Sequence, residues 1–164
     1  PVVLYGWHRE VYEIWEEKLR DLNPVLYTGS ESVPQKEASK QAFLSGQSKV
    51  LVISLRAGQG MDGLQDVCHV CVFGELDWSP GVHEQCIGRI HRDGQDQPVT
   101  AYYMLSTEGA DPIMSDVLGI KKAQIEGLRD PNAELVTKLQ IDQDYIRRLA
   151  EQFLTARGVA IEER

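Results

Sequence analysis

The chain is poor in cysteine: three among 164 residues. So odd and sparse a set argues for a reducing cytosol, and a cytoplasmic location is expected. Long hydrophobic runs are missing. Nothing approaches the roughly 18 apolar residues of a membrane helix, and no membrane partner is expected. No signal peptide is expected, since "PVVLYG" has neither a basic region nor a small-residue cleavage site. An initiator Met is also missing and the first residues are strand-like, so the chain is expected to be a piece of a longer protein. Repeats and low-complexity tracts are absent. Basic residues are in deficit, 17 Lys and Arg against 25 Asp and Glu, for a net charge of −8. Such a balance speaks against a nucleic-acid partner only if no basic patch is concentrated on one face.

What remains is ordinary globular composition, 42% apolar and 26% charged, in a length that suits one domain with a full core. Apolar runs predict strands over 1–5, 25–28, 49–54, 67–73 and 99–105. Between the first two, Val11, Ile14, Trp15, Leu19 and Leu22 recur at helical spacing, predicting a helix over 7–22 that ends at Asn23-Pro24. Pro34 opens a second helix that stops at Gly46, and Ser79-Pro80 opens a third that runs to Gly94. Strands alternating with helices predict an α/β fold with a mostly parallel central sheet between helical layers. From about residue 110 the strand signals cease. Met114, Val117, Leu118, Ile125 and Leu128, then Leu135, Leu139, Ile146, Leu149 and Phe153, predict an appended helical segment over 111–164 behind a domain of 1–110.

Three stretches invite a chemical reading. "GQGMDG" (58–63) matches the glycine fingerprint of dinucleotide sites, but only "LQD" separates it from the next strand-like run, leaving no room for the crossover helix. It reads as a tight loop needing positive φ. Cys68 and Cys71 form a C-x-x-C, but residues three apart in a strand point to opposite faces and no second ligand pair exists, so core cysteines are expected. The third is "EQCIGRIHRDGQ" (84–95). On a continuous helix Gln85, Arg89 and Arg92 form one polar stripe beside an apolar stripe of Val82, Cys86 and Ile90. Two arginines suit bidentate recognition of an anion, and the acids four residues beyond them, Asp93 and Asp96, stand at or past the Gly94 stop.

The order "SLRAGQGMDGLQ" (54–65), "LDWSP" (76–80), "EQCIGRIHRDGQ" (84–95) resembles motifs V and VI in the second RecA-like lobe of Swi/Snf-type superfamily-two helicases. "VVLYGWHREV" and "YTGS" (27–30) are similar to motif IV and the segment after it. The resemblance covers about residues 1–110 and implies a three-layer RecA-like domain. It implies that Arg89 and Arg92 are the motif VI arginines, with Arg92 the finger for the γ-phosphate of ATP, and that Gln85 is the nucleotide-sensing glutamine. Gly60 and Asp62 match positions near the nucleotide, Asp62 in line with the ribose. Gly6, Trp7, His8, Thr28, Gly29, Ser54 and Arg56 match loops that face DNA. Gln59 and Asp93 depart from the pattern, and Asp93 is expected to offer Arg92 a resting partner. The chain lacks both a G-x-x-x-x-G-K-[ST] loop and a D-E-x-H-like pair. ATP and Mg²⁺ are therefore expected mainly on an N-terminal RecA-like lobe of the same polypeptide, with duplex DNA as partner. The whole would hydrolyse ATP, in a nucleoid or a nucleus according to source, while this chain alone would be inactive. The alternative is a degenerate lobe that only docks nucleic acid or protein.

Overall fold

The apolar runs pair side by side into a five-stranded, wholly parallel sheet. The computed structural model describes residues 1–57, 61–107 and 109–118. Strands β1 (Val2–Gly6), β2 (Val25–Tyr27), β3 (Val50–Ser54), β4 (Val70–Phe73) and β5 (Thr100–Tyr103) lie in the order β2-β3-β1-β4-β5. In the centre Val3 of β1 is matched with Leu51 on one side and Cys71 on the other. Strand periodicity then splits the core in two. Leu4, Val50 and Val52 face helix α1 (Arg9–Lys18), where Tyr12 is buried and Trp15 and Leu19 pack against them. Val3, Tyr5, Leu51, Ile53, Cys71 and Phe73 face the other way and pack with Phe43 of α2 (Val33–Leu44) and Cys86 of α3 (Pro80–Ile87). Helices on both faces explain why the central strands are apolar at successive positions.

The elements are shorter than the sequence suggests, for local reasons. The first helix stops at Lys18, and Arg20–Leu22 form a separate 3₁₀ turn. Its buried side is set by Tyr12, while Ile14 and Leu22, expected inside, are 54% and 44% exposed. The second helix begins at Val33, where the Ser32 N–H donates to Gln35 Oε1 at 2.8 Å. Strand β4 loses residues 67–69 because a 3₁₀ turn at Leu64–Asp66 carries on into Cys68, whose N–H donates to Leu64 O. Cys68 thus lies outside the strand, so alternation does not apply, and it shares one core cluster with Cys71 and Cys86. Gly63, which closes the glycine-rich stretch, has φ +92°.

The chain divides into two compact units, one of Pro1–Asp77 with Gly81–Leu105, the other of Trp78–Pro80 with Ser106 onward. In the second, α4 (Asp111–Val117) follows a turn in which the Ser106 N–H donates to Asp111 Oδ2 at 2.8 Å. The helices expected after residue 118 lie outside the described residues.

Candidate functional site

Helix α3 ends at Ile87, so Gln85, Arg89 and Arg92 do not form one helical stripe. Gly88 is the cause: glycine costs about 1 kcal/mol in a helix interior, and just after it the hydrogen bonds tighten, Arg89 N–H to Cys86 O and Ile90 N–H to Ile87 O. Gln85 is left exposed on the helix while both arginines sit on the turn that leads towards β5. Ile90, fully buried, pins that turn to the core. The expected apolar partners Val82 and Cys86 pack in the same cluster.

The two guanidiniums differ. Arg92 Nη1 donates to Asp62 Oδ1 at 2.6 Å, with 45% of the arginine side chain and 74% of the aspartate exposed. Its partner is therefore Asp62, thirty residues upstream, and not the adjacent Asp93. Local spacing misses a pair made by two loops. Arg89 is half-buried, lies over the Tyr5 ring with 5.8 Å to the centroid, and donates to Cys86 Sγ at 3.6 Å. Among the described residues it has no carboxylate partner. Tyr5 is held in turn by its hydroxyl, which donates to Cys86 O at 2.8 Å. Gly60 lies outside the described residues.

A second cluster lines the carboxyl ends of the strands, where parallel sheets place their ligands. Strands β1 and β4 are neighbours whose following helices cover opposite faces, so their ends frame the switch point of the sheet. Glu75 sits there. It accepts from the N–H groups of Trp7 at 2.7 Å and His8 at 2.9 Å, and its other oxygen meets His8 Nδ1 at 2.5 Å. Arg56, after β3, makes a bidentate pair with Asp77 at 2.9 and 3.3 Å and lies over the Trp7 ring, 5.3 Å from its centroid. Thr28, after β2, gives its N–H and its hydroxyl to Glu31 at 2.5 and 3.0 Å. Ser54 ends β3, and Gly29 is exposed in the loop after β2. Gly6 has a packing role: a Cβ there would stand 2.7 Å from Trp15 Cη2.

Burial pushes the Glu75 carboxyl up, but the hydrogen bonds from the His8 ring and from the Trp7 and His8 N–H groups outweigh it and leave it below its ordinary value. The hydrogen bond to Glu75 lifts His8 above 6.5. A raised histidine stabilises the fold below its unfolded pKa and loses that effect as pH climbs through the folded pKa. A lowered carboxyl stabilises above its unfolded pKa and loses it as pH falls through the folded one. The pair is therefore at full strength from mildly acidic pH to near the unfolded histidine pKa. Glu75→Gln should return His8 to an ordinary titration by NMR; an unaltered His8 pKa would show that Glu75 is not its cause.

Comparison with known proteins gives the family. The helicase conserved C-terminal domain matches residues 2–94, more than half of the chain. The chain belongs to that family. The helicase C-terminal domain is 27% identical over 143 residues to the "Uncharacterized ATP-dependent helicase YqhH" of Bacillus subtilis, covering 86% of this chain and 25% of that protein. It is 27% identical over 154 residues to the SWI/SNF-related matrix-associated actin-dependent regulator of chromatin subfamily A-like protein 1 of Bos taurus, covering 92% and 16%. It thus spans a quarter or less of these curated relatives. Among solved structures, the C-terminal part of the Fun30 ATPase domain superposes with TM-score 0.67 at 15% identity, over 97% of this chain and 48% of that one. The C-terminal domain of the DEAD-box protein Dbp5 gives 0.60 at 15%, over 75% and 70%. The fold is RecA-like, and the motif resemblance to the second lobe of Swi/Snf-type helicases holds.

Within this helicase C-terminal domain the motif residues fall into two groups, Arg89 and Arg92 with Asp62 on loops around β4, and Trp7, His8, Thr28, Ser54 and Arg56 at the strand ends. Sequence reasoning missed Glu31, Glu75 and Asp77, the acids that hold the second group. Motifs describe what faces a ligand; these acids face the protein's own donors.

Proposed function

We propose that this chain is the C-terminal motor lobe of an ATP-dependent DNA helicase or translocase, completing an ATP site on an N-terminal RecA-like lobe and touching the DNA backbone with its carboxyl edge. The observation that supports it best is the build of the arginine turn. Ile90 is fully buried and fixes its base, while the Arg92 side chain projects, 45% exposed, and its ion pair among the described residues is with an exposed aspartate. An exposed ion pair is worth about 0–1 kcal/mol, so a phosphate can displace it readily. As the γ-phosphoryl group transfers, its oxygens spread negative charge, and a guanidinium held there contributes about 10³–10⁵ in rate. Arg89 supplies the second positive charge, Gln85 senses the nucleotide, and Asp62, freed from Arg92, meets the ribose, with Gly60 assigned to the same nucleotide site by its place in the motif. Mg²⁺ and the phosphates would be held by residues of the other lobe. ATP then closes the two lobes, hydrolysis reopens them, and DNA moves past Trp7, His8, Thr28 and Arg56.

The reading makes this chain half of a site. By itself it should show no DNA-stimulated ATP hydrolysis; steady turnover by the purified chain would refute the half-site. The other reading, a docking module gripping phosphate with its arginines, requires strong DNA binding by the chain alone. Against that, Arg92 is already paired with Asp62, and the carboxyl edge adds little grip by itself while Glu31, Glu75 and Asp77 hold the donors of Thr28, Trp7, His8 and Arg56. Binding by the isolated chain should be weak, with a log–log salt slope no steeper than about −2, as for about two phosphates. A steep slope abolished by Arg89→Ala would favour docking.

A further inference from the structure

Gln95 has no role in the mechanism above, yet it joins the two segments that the mechanism needs together. Its Nε2 donates to three backbone carbonyls, Gln65 O at 3.0 Å, Cys68 O at 2.9 Å and Ile90 O at 3.2 Å. Its Oε1 accepts from the Gln97 N–H at 2.9 Å, and its own N–H donates to Arg92 O at 3.1 Å. Carbonyls only accept and amide N–H groups only donate, so the orientation of the carboxamide is dictated by its partners. Two hydrogens serve three carbonyls, one of them shared. Residues 65 and 68 follow the glycine-rich stretch, and residue 90 lies in the arginine turn, so one side chain bridges loops about twenty-five residues apart. Gly94, at φ +93°, makes the bend that turns Gln95 inward, and a Cβ there would stand 3.6 Å from Asp66 Oδ1.

The Arg92–Asp62 contact cannot fix this arrangement, since both side chains are largely exposed. The bonds of Gln95 are partly buried and hold backbone. We propose that Gln95 is a positioning residue that locks the Arg89–Arg92 turn onto the 65–68 segment, so that Arg92 meets the transferring phosphate at a set distance. The proposal rests on Arg92 being the finger. It requires that loss of the clamp lower turnover and leave ATP affinity alone, because a displacement of about 1 Å at a reacting centre can lower the rate about 10²-fold.

Two variants test it: Gln95→Met, close in size without donors, and Gln95→Glu, which sets a carboxylate against three carbonyls. In this chain, hydrogen exchange at residues 64–68 and 89–92 should quicken about tenfold or more, while 2–6 and 50–54 stay protected. In the two-lobed protein, kcat of Gln95→Met should fall about 10–100-fold with KM for ATP nearly unchanged. Unchanged exchange in both segments overturns the proposal. So does full kcat in Gln95→Met when Arg92→Ala is inactive. An active Arg92→Ala protein instead overturns the finger reading, and the exchange data alone then decide whether Gln95 is a clamp.

Discussion

Arg92→Ala in the two-lobed protein is expected to lower ATP turnover by about 10³–10⁵ and to leave nucleotide affinity almost intact. The size follows from where the charge acts. On the proposed half-site the β- and γ-phosphates would be held in the ground state by the other lobe, so an arginine from this lobe would add little to binding. In the transition state Arg89 would be the second donor to the developing charge, and its guanidinium lies half-buried over Tyr5. Folding should survive, because Arg92 forms an exposed pair and the turn is anchored by Ile90. Arg92→Lys keeps a charge but loses the planar fork and should recover only part of the rate. DNA-stimulated turnover measured beside equilibrium nucleotide titration separates these cases. Unchanged turnover in Arg92→Ala would remove this residue from the reaction.

The largest effect on stability is expected from Gly74→Ala. The Trp15 ring of α1 lies across the ends of β1 and β4, and a Cβ at Gly74 would overlap Trp15 Cζ2 and stand 2.7 Å from Cη2. An indole cannot bend aside; it must swing out and give up its packing beside Leu4, Tyr12 and Val52. Overpacking of this kind costs about 1–3 kcal/mol. For a unit of roughly 100 residues this corresponds to a fall in Tm of several to about twenty degrees. Gly29→Ala is the control, with nothing within 4 Å of the added carbon. Thermal melts in which the two variants match the unmodified chain would refute the role given to Trp15. Since Glu75 follows Gly74 directly, Gly74→Ala should also disturb the hold on Trp7 and His8.

The sheet was legible because its strands are apolar on both sides, and a run such as "KVLVIS" has no other stable home. Helix ends were less so. Pro80 announces the start of α3 plainly, but its end is decided by Gly88 against the pull of Ile90 into the core, a contest of small energies that periodicity does not register. The inside of α1 was misjudged at Ile14 because Tyr12, which lies outside the apolar pattern, is the residue that goes in. Motif order pointed to Arg89 and Arg92, yet it could not supply Asp62 as the partner of Arg92. Nor could it show Glu75 reaching back 67 positions to the N-terminus of α1, since such pairs exist only once strands are adjacent.

The three cysteines have one more consequence. All are buried, and desolvation lifts each thiol, Cys86 to about 11 and Cys71 to about 12. The thiolate is the species that reacts with alkylating agents and oxidants, so in the folded sheet these sulfurs are nearly inert. Their modification has to wait for the strands to part. Cys68, at the lead-in to β4, Cys71, within it, and Cys86, beneath the arginine turn, are three stopwatches in three segments. The order in which they start would time how this lobe comes undone.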